Sequence, residues 1–338
     1  MTHGSFIITN KANLTVNNSI IKGTLSNDNR VLINIDDGSA NLSNNNVNLH
    51  AVGIDPHPKT QSLDYFMTVA LGSVNLDSNH FAIAEPMAAG FMITTSTIPT
   101  TKIKVTNNTF KGFHGVLYLI NSDNAVVKDN TLDTNTYGNI VIVGNDGQVI
   151  HNTIYFSGNN HLGNSIDLIN ANNVIVSKNI LLTPTCHGIY VINSHNLKIN
   201  DNRISGGITY AMNIYSYPES DKKIEMDDYI SQILTKLKSN SSLSSDVTIS
   251  NNYMSQNRYG IAASDMSGLT ITNNYFVQRF ADNDARKFWT DNSILLANVK
   301  NLIWSNNFYK EAFTQQNGGD NTKSFKLLPF PVTGGVTL

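Results

Sequence analysis

One asparagine recurs in a fixed frame along nearly the whole chain, and it restricts what the chain can fold into. It stands at Asn45, Asn79, Asn108, Asn130, Asn152, Asn179, Asn202, Asn252, Asn274 and Asn307, with Ser19 in the same place in the first copy. Three residues earlier the chain is apolar: Leu42, Leu76, Val105, Val127, Val149, Val176, Ile199, Ile249, Ile271 and Trp304. Two residues later it is apolar again: Val47, Phe81, Phe110, Leu132, Ile154, Leu181, Ile204, Met254, Phe276 and Tyr309. The shortest spacing is about 22 residues, within the range of solenoid repeats.

Each copy reads as two or three short strands with alternating apolar and polar side chains, as in His187-Gly188-Ile189-Tyr190-Val191-Ile192-Asn193 followed by Asn196-Leu197-Lys198-Ile199. One such coil cannot bury its apolar side, so coils must stack. Asparagine tolerates left-handed backbone and bonds its own main chain, which suits a recurring tight turn. In register, asparagines also bond to the coils above and below. The expected fold is all-β: a right-handed parallel β-helix, a solenoid of about eleven coils. A leucine-rich repeat would need a Leu-x-x-Leu-x-Leu frame, which is missing. A β-sandwich would not hold one asparagine in phase over so many units.

Composition then narrows the function. Asparagine is about one residue in seven, and the frame makes that excess structural. With 14% charged residues, a net charge of -2 and no basic run, the chain does not suit nucleic acid. No stretch of about 18 apolar residues exists, so no membrane helix is expected. The start, Met1-Thr2-His3-Gly4-Ser5, does not read as a signal peptide. The lone Cys186 excludes an internal disulfide and reads as a quiet, partly buried thiol.

The chain is expected to form one domain, 1–338. Insertions in a solenoid map to loops on one face. They fall at 59–72, around Met87 and 94–101, at 218–245, and at 280–291, the last with Arg286, Lys287 and Trp289. In 218–245, Ile224, Met226, Tyr229, Ile230, Ile233, Leu234 and Leu237 have helical spacing, so a short amphipathic helix is expected there. The tail 310–338 is expected to cap the last coil. The repeat begins near Phe6 with no capping helix before it, and an uncapped strand edge is an association surface through which the chain could oligomerise.

One segment breaks the frame. Gly53-Ile54-Asp55-Pro56-His57-Pro58 is expected where another copy has the strand Gly188-Ile189-Tyr190-Val191-Ile192. Proline cannot donate to a ladder, and an Asp and a His two apart in a strand share one face. Val52-Gly53-Ile54-Asp55-Pro56-His57 resembles the Tyr-Gly-Phe-Asp-Pro-His signature of mannuronan C5-epimerases, β-helix enzymes that act on alginate. The resemblance implies that Asp55 and His57 are catalytic. Val52 stands where the family has Tyr, and Thr94, expected beside His57, stands where it has a second Asp. Asp64 and Tyr65 are candidates to fill these roles.

Epimerisation at C5 of a uronate needs its carboxylate neutralised, the C5 proton removed, and a proton returned on the opposite face. A lyase shares the first two steps. His57 suits the base, with a pKa near working pH. Asp55 would orient it or hold the substrate carboxyl, Tyr65 or Tyr118 would be the opposing acid, and Lys59, Arg30 or Lys102 would hold a polyuronate. Further substrate contacts are expected along an outer column of Tyr118, Asp167, Tyr190 and Asn213. A hydrolase would need two carboxylates, and Asp167 and Asp265 are the main outward ones. His161 and His187 sit at expected turns, and no cluster has metal-ligand spacing. No metal site or cofactor is expected, calcium being the one candidate. The partner is a polysaccharide, in an extracellular or periplasmic setting. A non-catalytic glycan-binding β-helix and a tailspike-type depolymerase are the alternatives.

Overall fold

The computed structural model describes residues 6–9, 11–26, 31–52, 65–84, 90–94, 100–113, 115–134, 140–157, 163–182, 184, 186–207, 209–216, 243–257, 259–280, 294–313 and 321–323. Among them it contains strands and turns and no helix. Three ladders of parallel strands run the length of the molecule. The first passes through Phe6–Ile8, Val31–Ile35, Tyr65–Val69, Gly90–Thr94, Leu117–Ile120, Ile140–Val143, Ile166–Ile169, Ile189–Ile192, Tyr210–Tyr215 and the start of Tyr259–Thr272 to Ile294–Lys300. The second runs from Ala12–Asn17 to Ile303–Ser305, and the third from Ile20–Ser26 to Phe308–Phe313. Asn321–Lys323, within the tail, returns antiparallel on the edge of that last strand.

The apolar positions of the frame point inward. Leu42, Leu76 and Val105 are register partners in the second ladder, and Val47, Phe81, Phe110 and Leu132 in the third. They join one continuous core. Where the repeat supplies phenylalanine, the rings stack through the interior, Phe66 on Phe91 at 4.9 Å and Phe81 on Phe110 at 5.1 Å.

The frame asparagines form the expected ladder at the corner between the second and third ladders. Asn152 is typical. Its Nδ2 donates to Val127 O at 2.9 Å, Ile150 O at 3.2 Å and Asn179 Oδ1 at 3.0 Å, while its Oδ1 accepts from Asn130 N and Nδ2 at 3.0 Å. The same pattern runs from Asn45 to Asn307, and Ser19 N joins it at the start. It crosses the long insertion without a break, because Asn202 bonds to Asn252 Oδ1 at 2.9 and 3.0 Å. Ser244 N donates to Ser216 Oγ at 2.7 Å, which ties the two ends of that insertion together.

The backbone conformation corrects the sequence reading in one detail. The left-handed residue is the one before the ladder asparagine: Asn44, Ser78, Asn107, Asp129, His151, Lys178 and Asp201 all have φ between 53° and 58°. The ladder asparagine is kept for its side-chain bonds, and its neighbour makes the turn. Lys178 therefore carries a left-handed penalty of about 1–2 kcal/mol that asparagine largely escapes. Lys178→Asn is expected to raise unfolding stability by about 0.5–1 kcal/mol, read from the urea midpoint. An unchanged or lower midpoint would contradict the backbone account.

Candidate functional site

Register gives the strand position expected for the epimerase-like motif to a later segment. The strand that aligns with Ile189–Ile192 in this coil is Tyr65–Val69, which pairs with Val31–Ile35 before it and Gly90–Thr94 after it. Gly53 to His57, between Asn46–Val52 and Tyr65 in the chain, lies outside the described residues. Asp55, His57, Lys59, Arg30 and Asp64 lie outside the described residues, as do His161, most of the proposed helix and most of the tail. Thr94, expected where the family has its second Asp, does not face outward. It is fully buried, and its hydroxyl bonds to Ile120 O at 2.6 Å and Ser122 Oγ at 3.0 Å. Lys102 is exposed with φ 72°, at the corner between the first and second ladders.

The outer column is observed. Tyr118, Val141, Asp167, Tyr190 and Asn213 are successive register partners in the first ladder. Flanking residues face the core, so strand alternation turns this column outward. The column is not a solvent-exposed stripe: Tyr118, Asp167 and Tyr190 are 3%, 0% and 7% exposed. Tyr118, Val141 and Tyr190 form a second apolar cluster with Tyr65, Val143, Ile169 and Ile192, separate from the interior core. Tyr65 and Tyr118 approach through two glycines. A Cβ on Gly90 would meet the Tyr65 ring at 2.8 Å, and one on Gly115 would collide with the Tyr118 ring.

Near Asp167 the column becomes polar. Asn164 Nδ2 donates to Asp167 Oδ1 at 2.7 Å, and Asn164 Oδ1 accepts from His187 N at 3.0 Å. The His187 ring stacks on Tyr190 at 5.0 Å with an interplanar angle of 8° and lies 5.4 Å from Tyr210, which stacks on Tyr259 at 4.8 Å. The Tyr190 hydroxyl bonds to that of Tyr215. Burial pushes the Cys186 thiol up, against a hydrogen bond from Thr209, in keeping with a quiet thiol. Sequence reading put His187 at a turn and missed Thr209, Tyr210, Tyr215 and Tyr259. The available signal was an aromatic at the head of consecutive first-ladder strands, His187, Tyr210 and Tyr259.

Burial lowers the His187 pKa from 6.5 to about 4. The unfolded imidazole takes a proton near 6.5 and the folded one only near 4, so this group's contribution to stability falls as pH drops through that window. His187→Gln is expected to flatten that part of the stability-versus-pH curve. An unchanged slope would remove His187 as the cause.

Two findings define the class. The family model described as "Right handed beta helix region" matches residues 89–228, and the whole fold is that of a right-handed parallel β-helix. Two solved structures are similar to it as folds. One is DFA-IIIase from Arthrobacter chlorophenolicus A6 in complex with GF2, with 11% identity, a TM-score of 0.55, and coverage of 82% of this chain and 78% of that one. The other is the Dettilon tailspike protein, with 11% identity, a TM-score of 0.52, and coverage of 87% of this chain and 53% of that one. The chain thus spans about half the length of the tailspike. No curated protein sequence matches this chain.

Proposed function

We propose that the chain recognises and acts on a polysaccharide laid along the outer face of the first ladder. The observation that carries this is the outward column of Tyr118, Asp167, Tyr190 and Asn213, where Asn213 and the adjoining His187 and Tyr210 are partly exposed. Tyrosine, asparagine and a carboxylate at one-coil intervals suit a chain of similar repeating units. The two similar folds support a carbohydrate reading through their own descriptions, one a complex with GF2 and the other a tailspike.

The finer reading is C5 proton abstraction from a uronate polymer, as an epimerase or a lyase. Asp55 and His57 would act with Tyr65, and Lys59, Arg30 or Lys102 would hold the polymer's carboxylates. Calcium could bridge substrate carboxyls, and the setting would be extracellular or periplasmic. Support comes from Tyr65, which opens the next described strand after the motif in the chain and shares one outer cluster with Tyr118. Hydrolysis by Asp167 and Asp265 has less support. Asp167 is in register with Ala262 three coils on, about 14 Å away at the usual strand spacing, and Asp265 lies three residues further along that strand, beyond the roughly 5–9.5 Å that glycosidases use.

The test is incubation with polymannuronate in deuterated water. Deuterium at C5 or a new unsaturated end is expected. Neither appearing, with and without calcium, would sink the uronate chemistry for that substrate.

A further inference from the structure

Thr209 has one hydroxyl hydrogen and three neighbours within reach of it, the weakest being Cys186 Sγ at 3.8 Å. Its Oγ1 donates to the backbone carbonyl of Cys186 and lies 2.8 Å from His187 Nδ1. The carbonyl can only accept. The hydrogen is therefore committed to it, and Oγ1 must accept from Nδ1. That places the imidazole proton on Nδ1 and, among the described residues, leaves the Nε2 lone pair without a donor. The ring cannot turn over freely, because it stacks on Tyr190 and packs against Tyr210. The surrounding titratable groups among the described residues are Asp167, Cys186, Tyr190 and Tyr210, and burial keeps the ring neutral down to about pH 4.

We propose that His187 is the hydroxyl-binding acceptor of a sugar subsite on this face: Thr209 locks the Nδ1–H tautomer, and Nε2 accepts a hydrogen bond from a glycan hydroxyl beside Tyr190. This rests on the glycan reading above but not on uronate chemistry. A neutral ring with a bare Nε2 repels a carboxylate and pairs only with a donor. The subsite therefore selects a hydroxyl at this point of the chain, whichever sugar carries it. His187 binds and orients here, and no proton transfer is asked of it.

The test uses the whole chain labelled with ¹⁵N, with the His187 ring signals assigned by their loss in His187→Gln. The free protein should show a protonated Nδ1 and an unprotonated Nε2 at neutral pH. Thr209→Val, close in shape, should release the tautomer into a mixture while the melting transition stays cooperative. A neutral mannose trimer and a mannuronate trimer, each at millimolar concentration, should both move the Nε2 signal. Thr209→Val should weaken their binding by about three- to tenfold, as for one neutral hydrogen bond. An Nε2–H tautomer in the free protein, or an Nε2 signal that neither trimer moves, overturns the subsite. A shift with the neutral trimer but no C5 deuterium keeps the subsite and sinks the uronate chemistry. C5 deuterium with an unmoved Nε2 does the reverse.

Discussion

Polymannuronate incubated in deuterated water with the His57→Ala chain is expected to stay unlabelled at C5, under conditions where the unaltered chain labels it. A general base contributes about 10²–10⁴ in rate, so residual labelling should be at most about one hundredth. Tyr65→Phe separates the two proton transfers. If Tyr65 returns the proton to C5, its loss should suppress epimerisation, while elimination, which protonates the departing O4 oxygen and not C5, is cut less. Surviving activity in His57→Ala would move the base elsewhere, and the first alternative to examine would be the cluster around Asp167. A melting curve on each variant distinguishes loss of chemistry from loss of fold.

The largest stability effect is expected at the asparagine ladder. In Asn152→Ala, Asn130 N loses its acceptor, Asn130 Nδ2 loses one of its three, and Val127 O and Ile150 O lose a donor. Asn152 is fully buried, and water cannot readily replace these bonds. Each buried group left unpaired costs about 1–3 kcal/mol, and partial relaxation brings the expected sum to roughly 3–5 kcal/mol. The control is an asparagine of the same chain outside the ladder. Asn41 is exposed and accepts one side-chain bond, from Asn75 at 2.8 Å. Asn41→Ala should change stability by no more than about 0.5 kcal/mol. Comparable losses in both variants, measured by urea unfolding, would mean that asparagine richness as such holds the coils together and the ladder does not.

Periodicity carried the fold a long way. The ladder residues, from Asn45 to Asn307, and the apolar positions on either side of them were legible because a stacked coil repeats one local environment, so one residue type recurs where that environment is strict. The same regularity misled where it broke. Gly53–His57 matches Gly188–Ile192 in local pattern, yet an insertion in a solenoid shifts everything after it, and only pairing shows where the frame resumes. It resumes at Tyr65.

The site was legible in part. The column of Tyr118, Asp167, Tyr190 and Asn213 followed from counting positions within strands, because alternation in a strand is a local rule. Its burial did not follow, since that depends on what packs over the face. His187 showed only as a residue at a turn. Its meaning comes from Thr209, which belongs to the next coil, and from the direction of one hydroxyl hydrogen.

By itself, then, the sequence determined the parallel stack, the direction each strand side chain faces and the turn that joins the second and third ladders, because these rest on short-range periodicity and steric preference. Tertiary structure decided which coil resumes the frame after each insertion, which outward residues are covered, and how Asn164, His187, Thr209 and Tyr215 meet around Asp167 and Tyr190. Those outcomes depend on contacts between residues a full coil apart, and the chain's local pattern does not encode the register between coils.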